Sequence, residues 1–310
     1  MNFIQKSEEE DSPYLQLFML TVFAFVGVIV CTIIGFLICF GMYGMVLLKE
    51  PQAFLSGDPT FLNGLKVIQI CSTIGLFLVP AVFLAYYEKK KLNKFYGFKK
   101  PELILLLTVL LIMIVSMPVV EWIAVLNQKM TLPVFLKPVE DWMKQKENEA
   151  AQMTVLLLTV HSTGDFIVNL FMIALLPAVA EEILFRGALQ RSFSLMFNNH
   201  HLAIWLAAFI FSAIHLQFFG FFPRLFLGAA FGYLYYWSGS LWYNMLAHFL
   251  NNAYAVCVAL YLQKHHLPLD NTDQTIDVKW YGYVVSALLS IAVFQYFKHK
   301  TTKINGQQLG

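Results

Sequence analysis

The chain has 310 residues, 58% of them hydrophobic and only 13% charged, with a net charge of +2. Soluble domains carry about 25% charged residues, so this composition excludes a pair of soluble domains, and the small net charge gives no reason to expect a nucleic-acid partner. Apolar stretches of about 20 residues, the length that crosses a bilayer, recur from end to end. The expectation is one all-α, polytopic membrane bundle of about eight transmembrane helices, a single integral-membrane domain over 1–310.

The first apolar stretch follows an acidic tail (Glu8, Glu9, Glu10, Asp11) and lies within Leu15–Leu48. It is too long for the apolar part of a cleavable signal peptide, and its excess length predicts tilt or projection from the membrane. The next two are Val67–Tyr87 and Leu103–Leu126, followed by Phe166–Arg186 and Leu202–Phe219. A short one, Leu225–Trp237, precedes Leu241–Leu262 and Tyr281–Phe297. The four cysteines (Cys31, Cys39, Cys71, Cys257) lie inside these stretches without metal-site spacing and read as small packing residues.

Lysines orient the bundle. Lys89, Lys90, Lys91, Lys94, Lys99 and Lys100 follow the second stretch, and Lys298, Lys300 and Lys303 follow the last. With eight spans both groups share a side, which the positive-inside rule makes cytoplasmic, together with both termini. The long 128–165 loop then lies outside, where the charged run beginning at Val139 reads as an amphipathic surface helix. Glu181 and Glu182 fall near the cytoplasmic end of the fourth span.

Polar groups at membrane depth carry the chemical signal, because each charge near the bilayer core costs roughly 2.5–3.5 kcal/mol on insertion scales. Glu182 and Arg186 are four apart and share a helix face, so they can pair. Glu181 is turned about 100° from Glu182 and is free for another task, as a catalytic carboxylate aimed into a cavity. The bland alternative is that both glutamates pair with cations and lock helices together. His215 follows Phe211 by four residues, and Asn252 follows His248 by four. A Glu181–His215 pair has the makings of a general base, and His248 with Asn252 can offer donors to an oxyanion. Zinc on Glu181, His215 and His248 is a competing use of the same atoms, although the HExxH spacing of zinc peptidases is absent.

Other features read as structure. Pro177 bends the fourth span, Asp165 favours that helix's N-terminus, and Gly228-xxx-Gly232 permits close helix approach. Glu121 lies inside the third span with no cation nearby in sequence.

The ordered trio Glu181-Glu182-xxx-Arg186, Phe211-xxx-His215 and His248-xxx-Asn252 resembles the CPBP family of intramembrane proteases, which includes type II CAAX prenyl endopeptidases and bacterial bacteriocin-processing or immunity proteins. The motif-bearing core spans about 166–262. The resemblance implies an eight-helix bundle whose site opens toward the cytoplasm. It implies that Glu181 and His215 activate water without a cofactor, that His248 and Asn252 hold the oxyanion, and that Glu182, Arg186 and Phe211 support them. Zinc remains the alternative cofactor, since family members have been labelled metalloproteases. The expected partners are membrane lipid and a peptide or membrane-protein substrate, and the expected location is a bacterial plasma membrane. A non-catalytic scaffold or immunity protein is the alternative from another class. A transporter has less support, because no inverted repeat is evident.

Overall fold

Backbone surrounded by hydrocarbon must satisfy its own N–H and C=O groups, and a helix does this within one segment. The computed structural model describes residues 10–56, 58–267, 269 and 278–307, and no strand occurs among them. Glu8 and Glu9 of the acidic tail lie outside the described residues. Apart from the short helices Val46–Lys49, Pro51–Ser56 and Leu92–Phe95, nine helices organise the described chain: α1 (Pro13–Tyr43), α2 (Pro59–Tyr87), α3 (Leu103–Gln128), α4 (Lys137–Leu158), α5 (Thr163–Phe197), α6 (His200–Ala213), α7 (Phe218–Ser238), α8 (Leu241–Lys264) and α9 (Trp280–Gln307). Seven of them, all but α4 and α6, are long and apolar enough to cross a membrane. Phe25 and Leu37 on α1 and Leu288 on α9 turn outward, as lipid-facing side chains do.

The bundle has a basic end and an opposite end. At the basic end Ser240 donates to the Lys99 carbonyl at 2.9 Å, and Arg191 near the end of α5 meets Glu10 at 2.7 Å. At the other end Asn127 donates to the Phe218 carbonyl at 3.1 Å and Gln263 to the Leu158 carbonyl at 3.2 Å. Helix α4 lies at this second end, where Glu147 accepts from the Phe219 N–H at 3.2 Å.

Proline sets local geometry in α2 and α5. Each contains a π-helical segment, Ile74–Leu78 and Leu170–Leu175, that ends two residues before a proline, Pro80 or Pro177. A proline has no N–H for the carbonyl four residues back and its ring crowds that carbonyl, so the preceding turn widens.

Two expected spans change. The fourth stretch does not end at Arg186: α5 continues to Phe197, so Glu181 and Glu182 lie in mid-helix and not near a cytoplasmic end. Arg186, Gln190 and Arg191 look like an exit from the membrane, yet all three are buried against polar partners. The fifth stretch folds as the 14-residue α6, about 21 Å long at 1.5 Å per residue and shorter than a spanning helix, and residues 214–217 carry the chain on to the end where Phe218 meets Asn127. It ends at Ala213, and Leu216 takes a left-handed φ of 53° in the turn that follows.

Candidate active site

Glu181 and Glu182 close the straight α-helical part of α5, Leu176–Glu182, and both are buried. Adjacent helix positions point about 100° apart, which gives the two carboxylates different surroundings. Glu182 is fully buried and accepts three hydrogen bonds, from Arg186 Nη1 at 2.7 Å, Asn244 Nδ2 at 2.6 Å and His248 Nδ1 at 2.8 Å. Breaking such a buried charge pair costs about 3–5 kcal/mol because the remaining partner is stranded.

Arg186 reaches further. Its Nη2 donates to the Gly228 carbonyl at 2.9 Å, and its guanidinium carbon stands 4.8 Å from the centre of the Phe211 ring. One turn on, Gln190 donates to the Gly232 carbonyl at 3.1 Å. The two glycines of α7 therefore meet two donors of α5 in register. A Cβ on Gly232 would lie 2.7 Å from Gln190 Oε1 and 2.9 Å from Ile204 Cγ2, so this approach of α5, α6 and α7 depends on glycine.

Glu181 has different surroundings. Its Oε2 is buried without a hydrogen-bond partner, and His248 Nε2 stands 3.8 Å away, beyond hydrogen-bond length. It lines a cavity of about 480 Å³ with His215, Arg224, His248 and Asn252. His215 sits just past the end of α6, its Nδ1 2.8 Å from the Phe211 carbonyl. Both histidines thus place Nδ1 on an oxygen that can only accept, which fixes the proton there and leaves each Nε2 for the cavity. Phe211 packs between the rings, with centroids 5.1 Å from His215 and 5.9 Å from His248.

Asn252 acts locally through the proline. Pro177 cannot supply an N–H to the Ile173 carbonyl, and Asn252 Nδ2 donates to that oxygen at 3.1 Å. Asn251 donates to Asn252 Oδ1 at 3.2 Å and fixes the amide's orientation, and the second N–H on Asn252 Nδ2 is not used by that contact.

The structure brings Glu181, His215, His248 and Asn252 to one cavity, but no hydrogen bond joins Glu181 to His215 among the described residues. Glu182 is the glutamate that holds His248. Sequence reasoning passed over Asn244, although Asn244, His248 and Asn252 form a ladder of four-residue steps on one face of α8. Arg224 was also missed, a lone cation just before the apolar run Leu225–Trp237.

The donor types suit zinc. Each histidine has its Nδ1 anchored as metal ligands do, and Glu181 keeps an unpartnered oxygen. Their spacing does not suit it: among the described residues no three His, Cys, Asp or Glu side chains come close enough together to hold a metal ion.

The cavity is roofed by Ala150, Met153 and Leu157 of α4, at the end opposite Lys89–Lys100. The cavity therefore lies against α4, on the side of the bundle away from the lysine loop.

Fold and site together are those of a helical membrane bundle with a buried polar cavity. The family model for type II CAAX prenyl endopeptidases, Rce1-like, matches residues 163–254, a segment that contains every motif residue named above. The Uncharacterized protein YpbD of Bacillus subtilis (strain 168) is 30% identical over 113 residues, which cover 35% of this chain and 53% of that protein. The chain thus spans about half the length of the curated relative it matches. No solved structure matches.

Proposed function

We propose that this protein is an intramembrane endopeptidase that hydrolyses a membrane-associated polypeptide with water activated by Glu181. The observation that carries this reading is the contrast between the two glutamates. Glu182 is saturated by three donors, whereas Glu181 presents an unpartnered oxygen to a cavity shared with two histidines.

In this mechanism water attacks the scissile carbonyl carbon and gives its proton to Glu181, with His215 Nε2 accepting a hydrogen bond that orients the water. The carbonyl oxygen becomes an oxyanion facing His248 Nε2 and the second N–H of Asn252. His248 fills this role as an imidazolium, in which both ring nitrogens donate. Collapse breaks the C–N bond, and the proton held by Glu181 passes to the leaving amine. Glu182, Arg186 and Asn244 position His248, and Phe211 sets the separation of the two histidine rings.

Zinc on Glu181, His215 and His248 is the second reading, favoured by the two anchored histidines and disfavoured by the separation of the three side chains. A scaffold or immunity role without chemistry is the third. Incubating the purified chain with a peptide library, beside its Glu181→Ala variant, separates catalysis from the third reading. Cleavage by the wild type alone supports the proposal, and cleavage by neither sample or by both removes it.

Lysine bias puts the basic end and both termini in the cytoplasm. The cavity then opens on the outer face, beneath α4, of what we take to be a bacterial plasma membrane. The substrate is accordingly a segment presented from outside or from within the bilayer. This placement departs from the cytoplasmic opening that the family resemblance implies.

A further inference from the structure

Arg224, in the first turns of α7, lines the same cavity as Glu181. Its hydrogen bonds go to one residue: Nη2 donates to Gln217 Oε1 at 2.8 Å, and Nη1 makes a long 3.5 Å contact with the Gln217 carbonyl. Among the described residues no Asp or Glu oxygen lies within 4.0 Å of it. Arg186, the other cation facing this region, has its carboxylate at 2.7 Å. A guanidinium held in low dielectric normally has an anion beside it, because an unpaired buried charge is costly. Arg224, which is partly exposed, has neutral oxygens as its hydrogen-bond partners, with the Glu147 and Glu181 carboxylates acting on it from beyond ion-pair distance, and it borders open volume. The fork of a guanidinium matches a carboxylate with two parallel hydrogen bonds.

We propose that Arg224 is a substrate-binding residue that receives a carboxylate of the polypeptide, either its C-terminal α-carboxylate or an Asp or Glu side chain near the scissile bond. The inference rests on the reading of this cavity as a peptide site. Binding places the anion in the volume that Arg224 shares with the unpartnered Glu181. The cavity is thereby divided into a cationic recognition pole and an acidic reaction pole, and a substrate seated on Arg224 carries its scissile bond toward Glu181. Gln217 holds the guanidinium in place while leaving it donors to spare.

The test uses the purified full chain and a pool of ten-residue peptides with apolar centres, prepared in matched forms. One pair ends in a free carboxylate or an amide, and a second pair is amidated and carries Glu or Gln at internal positions. The expected result is at least a tenfold preference in kcat/KM for one acidic form, expressed mainly in KM. Arg224→Gln removes that preference while the neutral peptides are still cleaved, and Arg224→Lys retains part of it. Preference for the free terminus assigns the α-carboxylate, and preference for internal Glu assigns a side chain. Equal use of acidic and neutral forms by the wild type overturns the proposal, as does an unchanged preference in Arg224→Gln.

Binding gives a readout independent of cleavage. Anisotropy of fluorescein-labelled reduced-amide versions of the same peptides is expected to show the acidic form bound at least tenfold more tightly, and only when residue 224 is Arg or Lys. If no peptide is cleaved, the protease reading fails while the anisotropy comparison still decides the role of Arg224. A structural role for Arg224 predicts instead a lower Tm in Arg224→Gln with peptide discrimination intact.

Discussion

His248 is held by Glu182 and not by Glu181: its Nδ1 lies 2.8 Å from Glu182 Oε1. This contact anchors Nδ1 and sends Nε2 toward Glu181, 3.8 Å away. Two adjacent carboxylates thereby take separate tasks, one orienting the imidazole and the other facing open volume.

That division predicts opposite behaviour for the two conservative variants. Glu181→Gln is expected to abolish cleavage and leave the thermal midpoint nearly unchanged, since Oε2 has no protein partner to lose. Glu182→Gln leaves Arg186 and His248 against a neutral amide and is expected to lose about 3–5 kcal/mol. Thermal unfolding in detergent, with expression level as a second measure, checks this. A stable, inactive Glu182→Gln variant beside an unstable Glu181→Gln variant would reverse the assignment.

Asn252 and Pro177 form a testable pair through the Ile173 carbonyl. Asn252→Ala is expected to cost about 1–3 kcal/mol by leaving that carbonyl short of a donor, and to slow turnover about 10²–10³-fold by removing an oxyanion donor. Pro177→Ala restores a backbone N–H. The double variant is therefore expected to recover stability but not turnover. Recovery of both would make Asn252 a purely structural residue.

The glycines of α7 should differ in tolerance. A Cβ on Gly232 meets Gln190 and Ile204 at 2.7 and 2.9 Å, whereas on Gly228 the nearest atoms, in Ala208 and Phe211, lie at 3.2 Å. Gly232→Ala is expected to destabilise by about 1–3 kcal/mol as overpacking does, and Gly228→Ala by less. The two unfolding midpoints give the comparison.

Helix α4, the roof of the cavity, has a pH-sensitive start. The hydrogen bond from Lys144, then the Leu132 N–H, holds the Glu140 carboxyl below its usual range. A lowered folded value stabilises fully above the unfolded pKa, about 4.3, and that contribution disappears as pH falls through the folded value. Protection of α4 amides against hydrogen exchange, taken relative to the intrinsic rate at each pH, is expected to fall on acidification below about pH 4 in the wild type. In Glu140→Gln that protection should be lower at neutral pH and should fall less on acidification than in the wild type, the remaining response coming from Glu149, which Lys146 holds low in the same helix.

The sidedness of the cavity is open to labelling. In a cysteine-free background, Thr154→Cys on the cavity wall and Asn93→Cys in the lysine loop should react differently with an impermeant maleimide on intact cells. The expected result is labelling at 154 and protection at 93. The reverse would invert the bundle and give the cavity a cytoplasmic opening.

Much of this site was legible as spacing. Glu182 and Arg186, Phe211 and His215, and His248 and Asn252 each stand four apart, so residues on a common helix face are visible without a fold. Their long-range partners were not legible. Arg186 finds the Gly228 carbonyl and Asn252 finds that of Ile173 only because packed helices bring residues 42 and 79 positions apart together. Hydropathy misplaced the end of α5 for a related reason: Arg186 and Gln190 look like solvent-facing polar residues until their buried acceptors are known. The family resemblance supplied the order of the motifs, but the end of the bundle against which the cavity lies came from the path of α3 between the lysine loop and α4.

The most direct test of the central claim is peptide cleavage by exhaustively chelated protein, with zinc content measured by elemental analysis and Glu181→Gln assayed in parallel. A Glu181 base deprotonates water without a metal. The account predicts that metal-free wild type keeps its turnover and that Glu181→Gln has none. Loss of activity on chelation, restored by one equivalent of zinc and absent together with bound zinc in His215→Ala and His248→Ala, would contradict it.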